Sequence, residues 1–305
     1  MNREGNEALL ELLVHAFETA EDADGMVYLD IQKLFYHLRE RLEDDNSVRE
    51  LLPYYWYIDG TVSDTVKEAV DLGLESGVLE SSPTTRTGSG EWYERTDEHV
   101  PSSNAESDDL ETARRELERV LAEDYELFTG HEDKVEDVYE DAPYEFQRYF
   151  KLNILFSIDG FAAGRPLHLG TDNLASEIGT AEAYLPLEPA FEEFNRLFSR
   201  YVNTAKRYLD HVDEDSRELA DRFKHLSESV WRLYCEQLRL LEHDPYYDSE
   251  IDAWEREYER TRQLTANDLV EFRRLLDEAY RDADSVRSPE DSSWGKIVAD
   301  YLEES

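Results

Sequence analysis

The sequence predicts a mostly α-helical protein, with a small mixed α/β part first and an all-α bundle after it. Three observations predict this. Apolar residues recur at steps of three and four through most of the second half, short aromatic and β-favouring runs are confined to the first hundred residues, and a polar stretch without periodicity separates the two. With 305 residues the chain is long enough for two modest domains of roughly 150 residues each.

From Asn6 to Ala20, Leu9, Leu10, Leu13, Val14 and Phe17 share one helical face, and "DADG" ends the helix. A second helix, from about Leu29 to Leu42, carries Ile31, Leu34, Phe35 and Leu38. "PYYWYI" reads as a short strand, bounded by Pro53 and by the turn residues Asp59 and Gly60. Ser63 then sits at an N-cap position, the next helix places Val66, Val70 and Leu74 on one stripe, and Gly77 closes it. "VLESS" and "EWYERT" flank the turn-rich "PTTRTGSG" as a hairpin. Helix, helix, strand, helix and hairpin is the order of a winged helix, so residues 1–96 are expected to form one.

Residues 97–109, polar and containing Pro101, read as a linker, which leaves 110–305 for the bundle. There Leu110, Ala113, Leu117, Val120 and Leu121 form a first face, and Pro143 is placed to open the helix "YEFQRYFKLNILFSI". Two longer stripes follow, Phe191 to Val212 and Leu219 to Leu240, joined by "DEDS" as an antiparallel hairpin. From about Ser249 to Asp282 the pattern is helical again, and Thr265 with Asp268 resembles a capping box that would divide it into two helices. Long seams of this kind serve either a bundle core or a homodimer.

The 73 Asp and Glu against 32 Lys and Arg give a formal net charge of −41. Such a chain repels itself in dilute salt and is tolerable where screening is short-ranged, about 3 Å at 1 M. Only seven of the 32 cations are Lys, and Lys scarcity beside acidic excess resembles the proteins of halophilic archaea. Acidity spread along the whole chain therefore does not exclude a nucleic-acid partner. An acidic mimic of nucleic acid is the sharper alternative reading of the same charge. Hydrophobic residues at 40% and aromatics at 12% exclude an acidic disordered chain.

The one cysteine, Cys235, allows neither an internal disulfide nor a cysteine-rich zinc site, and its apolar helical surroundings suit a buried structural thiol. The N-terminus lacks the pattern of a signal peptide, and the longest apolar run, "LNILFSI", is far short of the roughly 20 residues of a membrane span. A soluble, cytoplasmic protein without a membrane partner is expected.

The run "DIQKLFYHLRER", the aromatic strand and the Gly60 turn into a helix ending "LESGVLE" together resemble the Panacea, or SocA-like, antitoxin domain and related archaeal winged-helix proteins. Gln32, Lys33, Leu34 and Tyr36 match that family's pattern, while Thr61 stands where the family has a proline after the glycine. The resemblance covers the first 80 to 95 residues. It implies a regulator, or a partner that neutralises a toxin encoded nearby, rather than a catalyst.

In the winged-helix reading, the helix after Gly60 offers Ser63, Thr65 and Lys67 to a target, beside Asp64 and Glu68. Lys33 on the preceding helix and Arg86 and Arg95 on the wing complete the candidate contact set. Phosphate positioning uses Lys and Arg, and base reading adds Asn and Gln, so this set fits either DNA or a protein partner. No H-E-x-x-H, P-loop, G-x-S-x-G or G-x-G-x-x-G occurs, and no His has Glu three residues ahead of it, so no catalytic residue, metal or cofactor is assigned.

One segment, Ser157 to Pro186, is long for a loop within a bundle and carries four glycines. Arg165, as an anion contact, and His168 make it a second candidate site. The leading reading is a non-enzymatic regulatory adaptor that contacts DNA or a partner protein. The alternative is a hydrolase or nucleotide-handling enzyme centred on that loop.

Overall fold

The computed structural model describes residues 3–20, 25–83, 91–98, 108–129, 139, 142–164, 170–211 and 217–286. Helices dominate, with two small antiparallel sheets. The chain divides into two compact units, each made of two separate pieces: residues 1–143 with 235–257, and residues 144–234 with 258–305.

In the first unit α1 (Arg3–Thr19) leads to β1 (Met26–Val27), α2 (Tyr28–Arg41) and the short α3 (Ser47–Glu50). A hairpin of β2 (Tyr55–Tyr57) and β3 (Gly60–Val62) comes next, followed by α4 (Asp64–Glu75), β4 (Leu79–Pro83), β5 (Glu91–Arg95) and α5 (Asp108–Thr129). The larger sheet has the order β1-β5-β4, with Met26 and Ser81 on either side of Tyr93, so the strand expected at "PYYWYI" is corrected: it lies outside this sheet and pairs with β3, while Met26–Val27 takes the place beside β5. In the hairpin, Trp56 faces Thr61, and Gly60 takes a φ of 116° that a side chain would oppose.

The core of this unit follows the apolar periodicity. Leu9, Leu10, Leu12 and Leu13 of α1 meet Ile31, Leu34, Phe35 and Leu38 of α2 and Val66, Ala69 and Val70 of α4, all buried. A Cβ at Gly73 would lie 2.6 Å from the Leu79 side chain, so the absence of one lets α4 close on β4.

The domain boundary differs from the sequence reading. Leu110, Ala113, Leu117, Val120 and Leu121 of α5, assigned there to the bundle, are buried in the core of the first unit. An amphipathic face shows that a helix packs, but not which neighbour receives it. Residues 235–257 also belong to this unit, and residues 99–107 of the proposed linker lie outside the described residues.

The second unit contains α6 (Glu145–Tyr149), a π-helical stretch at Phe150–Leu155, α7 (Phe156–Ala162), α8 (Thr171–Ala181) and α9 (Glu192–Leu209). It also contains most of α10 (Arg217–Arg239) and of α11 (Ile251–Val286). Its centre is aromatic. Phe146 packs on Tyr234 at 4.7 Å, Phe198 lies 5.1 Å from Phe146, and Tyr208 lies 4.9 Å from Phe223. The Tyr201 hydroxyl meets Ser227 Oγ at 2.8 Å. Pairing of Tyr201 with Ser227 and of Tyr208 with Phe223 sets α9 and α10 antiparallel, in the hairpin predicted from their stripes.

Most of the residues of those stripes are buried within the chain, among them Phe194, Phe198, Tyr201, Tyr208, Phe223, Leu226, Val230 and Leu233. Two further expectations are corrected. The region divided at Thr265 is one continuous helix, because Thr265 is buried with its hydroxyl 3.4 Å from the Ser229 carbonyl instead of capping a new start. The segment Ser157 to Pro186 is mostly helical rather than a long loop. Ile158 and Ala162 are buried on α7, and Leu174, Ile178 and Ala181 on α8, at the spacing of helical faces.

Many surface carboxylates are matched locally, as where Arg274 bridges Glu271 and Glu278 on α11. Local pairs of this kind contribute little each and leave most of the net charge unopposed. The thermal midpoint should rise as KCl is raised from about 0.1 M to about 1 M, over which the screening length falls from about 10 to about 3 Å. A midpoint that falls would show that self-repulsion is not limiting. In the second unit, Phe223 is fully buried against Tyr201, Tyr208 and Phe272. Phe223→Ala should cost about 3–5 kcal/mol in chemical denaturation at fixed salt.

Candidate functional site

The start of α4 is built around one buried side chain. Gln32, fully buried on α2, accepts the Ser63 N–H at Oε1 (2.8 Å) and donates from Nε2 to the Ser63 carbonyl (3.0 Å) and to the Tyr28 hydroxyl (2.6 Å). The amide thus pairs with both backbone groups of Ser63. Thr65 Oγ1 donates to the Leu51 carbonyl at 2.7 Å, so at 2.8 Å the Ser63 hydroxyl is the donor to Thr65.

Ser63 occupies the N-cap position but makes no side-chain cap bond. The first N–H of α4, that of Asp64, goes instead to the Tyr247 hydroxyl at 3.0 Å, and Tyr247 in turn donates to the Pro53 carbonyl at 3.3 Å. A residue far along the chain satisfies one of the helix's open donors.

Tyr247 arrives on the returning piece of chain, residues 235–257. Residues 242–244 of this piece run along β2 in the manner of a short added strand: Trp56 N–H donates to the Glu242 carbonyl (3.2 Å), Asp244 N–H donates to the Tyr54 carbonyl (3.0 Å), and Tyr55 forms a β-bridge with His243. The Asp244 carboxylate takes the Tyr54 N–H at 2.6 Å and the Arg39 guanidinium at 2.9 Å.

Below these bonds Tyr55, Tyr247 and Trp254 form a small hydrophobic cluster separate from the main core, with ring centroids 4.9 to 5.5 Å apart. The buried Arg239 lies over Trp254 at 4.6 Å and Tyr57 at 5.0 Å, and donates to Glu257 at 2.7 Å. A guanidinium over aromatic faces is stabilised by their negative potential, the more so when desolvated.

Burial weakens the acids of this region, all in one direction. Desolvation pushes Tyr28 up to about 12 and holds Tyr54, Tyr55 and Tyr247 well above the ordinary phenol range. All four therefore remain proton donors at neutral pH. Desolvation also raises Asp64, against the lowering effects of the Tyr55 hydroxyl, Lys67 and Arg239.

The predicted contact residues are dispersed. Lys33 and Ser63 are buried, and Thr65 is half-buried with its hydroxyl engaged. Arg95 pairs with Glu18. Lys67 is exposed, in company with Asp64, Asp71 and Glu75, while the half-buried Glu68 holds Asn6 at 2.8 Å. Arg86, Arg165 and His168 lie outside the described residues. Lys33 and Ser63, buried, are corrected from contact residues to interior ones.

What the sequence reading missed is the set Arg39, Arg239, Asp244, Tyr247 and Trp254. Its only local trace is "HDPYYD", where a proline and two tyrosines interrupt a helical pattern.

A second surface feature is a groove of about 390 Å³ between α1 and α5, lined by Glu11, Glu18, Glu111 and Glu118 with His15 and Arg114. Its polar side chains are engaged with one another or at its rim, His15 Nε2 lying 2.9 Å from Glu118, Arg114 pairing with Glu11 and Glu111, and Glu18 with Arg95. Among the described residues no group of three or more His, Cys, Asp or Glu is placed to hold a metal ion, and no helix is long and apolar enough to cross a membrane.

No protein-family model matches the chain, and neither does any curated protein or solved structure.

Gln32→Ala would leave the Ser63 N–H buried without an acceptor, whereas the Ser63 carbonyl keeps the Lys67 N–H at 3.2 Å. The expected loss is about 1–3 kcal/mol in equilibrium unfolding. A change below a few tenths of a kcal/mol would show that Ser63 finds another partner.

Proposed function

We propose that the chain is a non-enzymatic regulatory adaptor whose first unit is a winged helix that docks a protein with a basic surface. Support for the fold comes from the order α1, β1, α2, α4, β4, β5 and from the sheet order β1-β5-β4, which is how a wing closes on the strand after the first helix. The hairpin β2–β3 is then an insertion before the helix that would read a target.

The observation that carries the choice of partner is the charge of α4. Its ionisable residues are Asp64, Glu68, Asp71 and Glu75 against Lys67 alone, four carboxylates to one ammonium. Such a face repels phosphate and complements a cationic protein surface. The antitoxin role implied by the sequence resemblance is the case in which that partner is a toxin encoded nearby. DNA reading is the second option, favoured by the same topology, and it would have to depend on Lys67 and on the wing.

Two parallel experiments in high salt separate these. Tagged wild-type protein should recover a partner in fixed proportion, and Asp71→Lys with Glu75→Lys should lose it while retaining the wild-type thermal midpoint. Chromatin immunoprecipitation should show no enrichment. Sharp genomic peaks that disappear with Lys67→Glu would replace protein docking by DNA reading.

A further inference from the structure

We propose that residues Glu242 to Trp254 form a latch within the first unit, one that closes the N-terminal end of α4 and the edge of β2 and opens as a unit without disturbing the main core. The inference rests on how the latch is attached, whether α4 meets protein or DNA.

Three observations support it. The first is that the latch has its own core: Tyr55, Tyr247 and Trp254 cluster apart from the residues that bury α1, α2, α4 and α5. Cooperative openings below global unfolding follow such partitions, because each sub-cluster can be exposed without dismantling the other.

The second is the nature of its fastenings. Asp244 is the focal point, since one carboxylate takes the Arg39 guanidinium and the Tyr54 N–H while its own N–H holds the Tyr54 carbonyl. The Trp56 N–H on Glu242 extends this pairing by one residue pair, in the manner of a strand added to a sheet edge. An added strand of this length is released by breaking few bonds.

The third is what the latch conceals. Tyr247 occupies the Asp64 N–H at the start of α4, and residues 242–244 occupy the polar backbone edge of Tyr54 to Trp56. Opening therefore exposes a helix end and a strand edge together. A strand edge pairs with other chains and a helix N-terminus favours anionic groups, and in the closed state the chain covers both with its own residues.

Native-state hydrogen exchange on the full-length protein, read peptide by peptide in high salt, tests this. In the wild type, peptides covering 53–66 and 242–254 should exchange together and faster than peptides from the cores of α1 and α2. Asp244→Ala should accelerate both latch peptides by about tenfold or more and leave the α1 and α2 peptides unchanged. Tyr247→Phe keeps the ring and removes only the hydroxyl, so a smaller acceleration should appear in the peptide containing Asp64. Equal acceleration of the α1 and α2 peptides in either variant would overturn the proposal, because the segment would then be integral to global unfolding. Acceleration of 242–254 without 53–66 would overturn it as well, since the latch would not be closing α4. If Asp244→Ala fails to fold, the wild-type comparison and Tyr247→Phe still decide the matter.

Discussion

The buried amide of Gln32 and the backbone of Ser63 satisfy each other, and much of the first unit is arranged around that pairing. Ser63 sits where the β2–β3 hairpin turns into α4, a buried junction whose carbonyl accepts the first helical bond, from the Lys67 N–H, but whose own N–H is satisfied by the Gln32 side chain. Buried backbone groups without partners are costly, so a side chain from α2 must reach this point. An amide is the neutral side chain that supplies a donor and an acceptor side by side. Once it is in place, the Tyr28 hydroxyl, the Ser63–Thr65 hydroxyl pair and the Tyr54 hydroxyl on the Gln32 carbonyl at 3.2 Å fix α2, α4 and the hairpin relative to one another.

Against an acidic surface, the second unit relies on an aromatic interior, and the first adds a small aromatic cluster to an aliphatic core. Rings contribute large buried areas and directional edge contacts, which are insensitive to the salt that a chain of this charge needs. The tyrosines go further, because their hydroxyls link rings to polar groups: Tyr139 to the Ile58 carbonyl at 3.1 Å, Tyr247 to the Pro53 carbonyl, and Tyr201 to the Ser227 hydroxyl. Burial keeps these phenols protonated, so each remains a donor across the neutral range.

Periodicity made the helices legible. The faces at Leu9 to Phe17, Ile31 to Leu38 and Phe194 to Tyr208 are buried as their spacing indicated. Short elements with little internal pattern, such as β1 and α3, gave no comparable signal. Neither did the destination of a helix: the stripe of α5 is equally good for either unit, and only the shape of the receiving core decides. The candidate site was legible only in part. Ser63 and Gln32 stood out as residues, but that one holds the other, with Tyr247 capping the helix, depends on separations of 31 and 183 residues. Lys33 was mistaken for a surface cation because the wheel of α2 places it off the main apolar stripe, while α2 is in fact covered on several sides.

The first unit is discontinuous: residues 235–257 complete what residues 1–143 begin. On a ribosome moving at roughly 5–20 residues per second, the interval between the two pieces lasts on the order of ten seconds. During that interval Tyr55 lacks Tyr247 and Trp254, and the start of α4 lacks its cap. The nascent chain thus carries an aromatic strand edge through most of its synthesis, and the order of translation itself sets the time for which that edge is open to chaperones or to other chains.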